Sequence, residues 1–172
     1  MHLRVRFLTL SALFIALGVV FPVFFHALGL GSVFLPMFWP ITLGGFFLPI
    51  LYAMIIGGIT PFLSFELTGM PPMMVLPVMI PELITLALIV AILKRNVRLG
   101  GFWIVLLGLL GSRIILFLCA GILGKLIGLS GNAVSFAVLI KSLPGSIAML
   151  FFIPVFLSRV TNRPIFWRRT CP

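Results

Sequence analysis

The sequence predicts an all-α membrane protein with six transmembrane helices, a short Pro-flanked second and third helix, and both termini in the cytoplasm. Hydrophobic residues make up 62% of the 172 residues and charged residues only 8%, whereas soluble domains carry about 25% charged residues. No Lys, Arg, Asp or Glu occurs in the 59 residues from Phe7 to Phe65. At about 20 residues per crossing, this stretch must pass through a membrane more than once.

The first three helices are separated by glycine and proline. A basic start followed by an apolar run predicts the first helix, Phe7–Phe25. We expect this helix to be retained, although it resembles a signal peptide, because no small-residue cleavage site leads into a soluble domain. A Gly-rich loop follows at His26–Pro36. Prolines then bound the second helix, Met37–Leu48, and the third, Pro49–Phe65.

The remaining helices are bounded by loops and basic residues. The segment Glu66–Met74 contains two adjacent prolines and predicts a loop. Helix four, Val75–Leu93, ends at a basic run, and helix five covers Gly101–Gly124. A Gly/Ser/Asn loop at Gly128–Asn132 leads to helix six, Ala133–Leu157. We expect one transmembrane domain over residues 1–172.

The basic residues indicate the orientation of these helices. Under a six-helix count, nine of the 12 Lys and Arg residues fall on one side of the membrane: Arg4, Arg6, Lys94, Arg95, Arg98, Arg159, Arg163, Arg168 and Arg169. Cytoplasmic loops carry an excess of basic residues, so this side is predicted to be cytoplasmic. The sequence therefore predicts a multi-pass membrane protein with both termini on the cytoplasmic side.

The scarcity of acids excludes several functions. Only Glu66 and Glu82 are acidic, which is too few for two-metal sites, calcium loops or other carboxylate-rich enzymes. No phosphate-binding loop, HExxH motif or serine elbow occurs. The basic residues are not interleaved with polar ones as nucleic-acid binding requires. We therefore expect no enzymatic activity, no cofactor, no resident metal and no nucleic-acid partner.

Three charged residues lie within predicted helices. Counted from the cytoplasmic helix ends at ~1.5 Å per residue, Glu82 lies ~16 Å, Arg113 ~18 Å and Lys141 ~24 Å into the membrane. A charge at such depth is costly unless it faces a cavity or a partner. We predict a shared polar pocket that opens to the outside and also includes Ser142. The alternative is an ion pair between Glu82 and Arg113 that only joins two helices, which leaves Lys141 to bind an anionic or carbonyl group.

Other side chains near the outer end complete the predicted site. His26 lies in the first outer loop, Phe34 and Trp39 are available to stack on a flat ligand, and Met79 offers soft packing near Glu82. On helix one, Ala12 and Ala16 form a small-residue pair at i and i+4. Such a pair allows close approach of another helix, either within the protein or from a partner.

Three blocks of this chain carry a resemblance to a known family: HALGLGSVFLP from His26, TPFLSFELTGMPP from Thr60 with Glu82–Leu83 after it, and KSLPG from Lys141. They resemble the substrate-binding S components of energy-coupling factor (ECF) vitamin transporters, and the resemblance covers nearly the whole chain. It implies six helices, high-affinity capture of one vitamin-like molecule from outside, and a lid formed by the loop after helix one. It also implies docking through Ala12 and Ala16 on a transmembrane coupling subunit that two ATPases drive.

Two alternatives to this assignment remain. Cobalt and nickel S components use a terminal Met-His to bind metal, but here basic residues follow His2, which the topology places in the cytoplasm. The other alternative is a stand-alone proton-coupled carrier that uses Glu82, although the two halves of the chain show no symmetry.

Overall fold

The computed structural model describes residues 2–29, 34–97, 99–127 and 131–161, with side chains except at 2–3, 123–138 and 161. The described residues form no strand and six helices: α1 His2–Ala27, α2 Phe38–Phe47, α3 Ile50–Thr68, α4 Leu76–Asn96, α5 Gly101–Ile127 and α6 Gly131–Thr161. Each of the six predicted helices is present.

The observed helices extend beyond most of the predicted ends. α1 begins at His2 rather than Phe7, because Arg4 and Arg6 continue the helix with good helix-forming residues. α3 runs to Thr68, so Glu66 lies in its last turn and not in the loop. The predicted loop Gly128–Asn132 lies largely outside the described residues.

Five of the six helices are long and apolar enough to cross a membrane: α1, α3, α4, α5 and α6. α2 has only 10 residues and rises ~15 Å, about half of the ~30 Å hydrocarbon core. α3 was predicted to be short as well, but it has 19 residues.

Contacts between helices show that α1, α2 and α3 alternate in direction. Phe14 of α1 stacks on Phe47 at the end of α2, with ring centroids 6.3 Å apart. Gly18, further along α1, packs against Pro40 near the start of α2, so α2 runs antiparallel to α1. Gly18 also contacts Thr60, which lies midway along α3. The chain therefore reverses again after α2.

The last three helices continue this alternation. Gly108 of α5 packs against Val90 of α4, and Gly101 at the start of α5 packs against Pro154 near the end of α6. The start of α1 and the end of α6 consequently lie at the same end of the bundle. This end, which we call the basic end, carries the described basic residues Arg4, Arg6, Lys94, Arg95 and Arg159.

The short helix α2 lies in the centre of the bundle. Seven of its 10 residues are buried, and it contacts α1, α3, α4 and α6. Such burial fits a helix that is hydrophobic on every side. The ammonium of Lys94 on α4 donates to the Phe46 carbonyl near the end of α2, which satisfies one of the carbonyls left open at a helix C-terminus. Lys94 thus holds the α2–α3 junction towards the basic end.

Candidate functional site

A buried ion pair joins α4 to α5. Nη1 of Arg113 donates to Oε1 of Glu82 over 2.8 Å, and only 3% of Glu82 and 9% of Arg113 are exposed. The pair forms because α4 and α5 run antiparallel and bring these residues to the same height. This is the contact that the sequence offered as an alternative to a ligand site.

The pair leaves hydrogen-bonding capacity unused. Among the described residues, Nη2 of Arg113 is buried and has no hydrogen-bond partner. The guanidinium also lies over the ring of Phe38 from α2, with 5.3 Å between Cζ and the ring centroid. A cation over an aromatic face is attracted electrostatically, so Phe38 helps to fix the position of Arg113.

A cavity of about 80 Å³ lies at the end of the bundle opposite the basic end. Its walls come from the end of α1, the segment before α2, the loop after α3, and the first turn of α4. The lining residues are Pro22, His26, Leu35, Pro36, Met37, Phe38, Met70, Pro71 and Met79. The lining is mainly apolar and rich in thioether and proline, with His26 as its titratable side chain.

The cavity lies next to the ion pair. Phe38 lines the cavity and also contacts the Arg113 guanidinium. Met79 lines the cavity and precedes Glu82 by three residues on α4, a spacing that places two side chains on the same helix face. Of the predicted site residues, His26 and Met79 line the cavity, whereas Glu82 and Arg113 are not among its lining residues.

The two predicted aromatic residues lie beside the cavity and are not among its lining residues. The indole N–H of Trp39 donates to the Phe34 carbonyl over 3.1 Å, and its ring contacts Phe152 of α6. The ring of Phe34 lies 5.7 Å from that of Phe25. Both rings thus hold the segment before α2 against α1 and α6.

Lys141 and Ser142 are on α6, and neither is among the cavity-lining residues. Lys141 is exposed. Ser142 is buried, and its hydroxyl donates to the Leu139 carbonyl over 3.0 Å. Their role in binding therefore stays a prediction.

The sequence did not single out most of the cavity wall. Leu35 and Pro36 belong to the predicted lid. The other lining residues that were not chosen as site residues are Pro22, Met37, Phe38, Met70 and Pro71. The signal that could have found them is the position of the two Pro-containing blocks, which flank the α1–α2 and α3–α4 connections. The predicted lid His26–Pro36 lies partly outside the described residues.

The small-residue pair on α1 faces away from the bundle. Ala12 and Ala16 are exposed, whereas Ser11, Phe14 and Gly18 are buried on the opposite face. Internal packing therefore does not use this pair, and the stripe is available to another helix.

The comparisons with known proteins decide the family. A family model described as "ECF transporter, substrate-specific component" matches residues 6–166. The chain belongs to this family. The protein is accordingly a membrane-embedded transport subunit that determines substrate specificity and is not itself an enzyme.

Two further comparisons gave no match. No curated protein and no solved structure matches this chain.

Among the described residues, no three His, Cys, Asp or Glu side chains lie close enough together to hold a metal ion. The side chain of His2, considered above as a metal ligand, lies outside the described residues.

Proposed function

We propose that this S component is the high-affinity binding and translocating subunit of an ATP-driven ECF transporter, and that it imports a small vitamin or vitamin precursor. The observation that carries the proposal is the cavity beside a buried, incompletely hydrogen-bonded Arg113. A partly apolar pocket with a few convergent polar groups is the usual form of a small-molecule site. Buried charges in a membrane protein are also usually functional.

The orientation of the basic end supports capture from outside. Basic residues gather on the cytoplasmic side of membrane proteins, so the basic end would face the cytoplasm and the cavity the exterior. We place the protein, as a multi-pass subunit, in the cytoplasmic membrane of a bacterium or archaeon.

Each site residue has a proposed role. Glu82 accepts a hydrogen bond from a ligand N–H or O–H, and Arg113 orients Glu82 or binds a ligand acceptor. His26 and Met79 contact the ligand at the cavity wall. The predicted residues beyond the cavity wall, namely Phe34, Trp39, Lys141 and Ser142, would complete the site when a larger ligand is bound.

The partner is proposed to dock on α1. Ala12 and Ala16 are small and exposed, and small residues let two helices approach closely in a membrane. The partner would be the ECF transmembrane coupling subunit, and two ATPase subunits attached to it would supply the energy. After binding its substrate, the S component would rotate against the coupling subunit and release the substrate into the cytoplasm.

Co-purification with the coupling subunit and ATPases from the same cell tests this assignment. The double variant Ala12→Trp/Ala16→Trp should lower recovery of the coupling subunit at least ~10-fold, which corresponds to about 1.4 kcal/mol. The matched control is Ile147→Trp on α6, where Ile147 is 54% exposed. Equal recovery with both variants would remove the Ala stripe from the interface.

Transport in proteoliposomes separates this function from that of a stand-alone carrier. Uptake should require the coupling subunit, both ATPases and ATP. Uptake by this chain alone, abolished by a proton uncoupler, would instead show a secondary carrier.

A further inference from the structure

The basic end of the bundle carries more positive charge than the acidic side chains of this chain can neutralise. The sequence has only two acidic residues against 12 Lys and Arg. Glu82 is paired with Arg113 in the interior, and Glu66 lies in the last turn of α3, next to the loop that lines the cavity at the opposite end. An anion that neutralises Arg95 or Arg159 at the basic end therefore comes from the surroundings.

These two arginines lie on the two helices that flank the start of α5 in the chain and in the bundle. Arg95 lies in the last turn of α4 and Arg159 in the last turn of α6, and both are exposed. Helix α5 packs on both α4 and α6, and its first residue, Gly101, packs against Pro154 near the end of α6. We call Arg95, Arg159 and the first turn of α5 the α5 edge.

An apolar stripe runs along α5 from this edge into the membrane. It consists of Trp103, Leu107, Leu110, Ile114 and Leu118, which are 40% to 62% exposed. These residues follow one another at intervals of three or four, so their side chains share one face of the helix. From the first to the last of them the helix rises ~22 Å, which is more than the ~15 Å of one leaflet of the hydrocarbon core.

A second apolar stripe, on α6, ends at Arg159. Phe152 is 68% exposed and Phe156 is 48% exposed, and they precede Arg159 by seven and three residues, so all three side chains share one helix face. A guanidinium at the end of an exposed apolar stripe fits a molecule with an anionic head and an apolar tail. The acidic surface of a soluble protein would meet only the arginine, because the stripe lies within the membrane.

We propose that an anionic phospholipid binds at the α5 edge. Its phosphate oxygens accept hydrogen bonds from the guanidiniums of Arg95 and Arg159, whose planar donor groups match phosphate, and its acyl chains lie along the stripes of α5 and α6. The ring of Trp103 lies at the level of the headgroup, where Trp is enriched in membrane proteins. Basic residues near a membrane surface attract anionic lipids, whereas a zwitterionic lipid carries an ammonium group that opposes the arginines.

Two lipids that differ in headgroup charge test the proposal on the unmodified protein. The thermal unfolding midpoint of the detergent-purified protein is measured with dioleoyl phosphatidylglycerol or dioleoyl phosphatidylcholine at the same mole fraction in the micelle. The anionic lipid should raise the midpoint by ~2 °C or more above the value in the zwitterionic lipid, because a ligand that binds the folded state stabilises it. Equal midpoints in the two lipids would overturn the proposal, and this comparison does not depend on the folding of any variant.

Two double variants with the same change in charge locate the effect. Arg95→Gln/Arg159→Gln should lose about half or more of the difference between the two lipids, with each variant compared with itself. The control Arg4→Gln/Arg6→Gln removes two charges from the same end of the bundle, but on α1, which packs on α2 and α3, and it should keep the difference. An equal loss in both variants would indicate a diffuse attraction to the whole basic end and would overturn the site at the α5 edge.

Co-purification with the coupling subunit distinguishes a lipid from a protein at this surface. If Arg95→Gln/Arg159→Gln keeps the full effect of phosphatidylglycerol but recovers less coupling subunit, a protein partner covers the α5 edge and the proposal is wrong. The α5 edge is at the opposite end of the bundle from the cavity, so failure of this proposal leaves the proposed transport function unaffected.

Discussion

Neutralising Glu82 should strongly destabilise the protein. Glu82→Gln preserves the shape of the side chain but removes the charge that faces Arg113 at 2.8 Å. The Arg113 side chain is only 11% exposed and already has one nitrogen without a partner. The variant therefore leaves a buried cation without a counter-ion among the described residues.

The size of the effect follows from this burial. Removal of one partner of a buried ion pair costs about 3–5 kcal/mol, a large part of the ~5–15 kcal/mol that stabilises a typical domain. For a chain of this length, each kcal/mol shifts the unfolding midpoint by about 2–4 °C, so the midpoint should fall by about 6–20 °C. Removal of both charges in Glu82→Gln/Arg113→Met should restore most of the lost stability, because replacing a buried ion pair with apolar groups often leaves the free energy of unfolding unchanged.

A thermal unfolding assay in detergent on the two single variants and the double variant provides a double-mutant cycle. Glu66→Gln is the matched control, because Glu66 is the other acid and is exposed; it should change stability by less than ~0.5 kcal/mol. Equal stability of Glu82→Gln and Glu66→Gln, or a double variant whose loss of stability equals the sum of the two single losses, would refute a stabilising ion pair between Glu82 and Arg113.

Two further predictions concern packing and binding. A Cβ atom at Gly57 would lie 2.9 Å from the Leu83 carbonyl oxygen and 3.0 Å from a backbone carbon of α4, so Gly57→Ala should cost about 1–3 kcal/mol in unfolding assays. Gly58→Ala should be neutral or stabilising by up to ~1 kcal/mol, since that Cβ meets only side-chain atoms of Ile84, at 3.3 Å and 3.6 Å, and no backbone; equal effects at both sites would contradict this account. Lys141→Ala should weaken substrate binding at least ~10-fold, about 1.4 kcal/mol, when the purified protein is titrated with its substrate. Arg159→Ala on the same helix is the control and should leave the affinity unchanged. An unchanged affinity for Lys141→Ala removes that residue from the site.

The helices were predictable because residues close to each helix end determine where the helix begins or stops. Charge-free runs, prolines, glycines and the basic run at Lys94–Arg95 mark where each helix starts or stops. The depth of each charged residue in the membrane could also be estimated by counting residues along its helix. Glu82 and Arg113 were therefore expected at similar depths. The short α2 was predicted for the same reason, since Pro36 and Pro49 leave little room between them.

The direction in which a side chain faces was much harder to predict. Helices that are apolar on every side carry no stripe that separates the lipid face from the interior. Lys141 and Ser142 are neighbours, yet Lys141 is exposed and Ser142 is buried. Phe38 and Trp39 are likewise neighbours, and only Phe38 lines the cavity. Which of two neighbouring side chains faces the interior depends on the packing of α2 and α6, and the sequence pattern does not encode that packing.

The most direct test of the account asks whether the cavity holds the substrate. The purified protein is incubated with a vitamin-rich growth extract and washed, and the retained small molecules are identified by mass spectrometry. Met79→Trp fills the cavity with a larger side chain, and Met73→Trp is the control because Met73 is 74% exposed and outside the cavity lining. We predict one compound at about one molecule per protein in the unmodified chain and in Met73→Trp, and its loss in Met79→Trp. Retention of no compound by the unmodified chain, or undiminished retention by a folded Met79→Trp variant, would contradict the account.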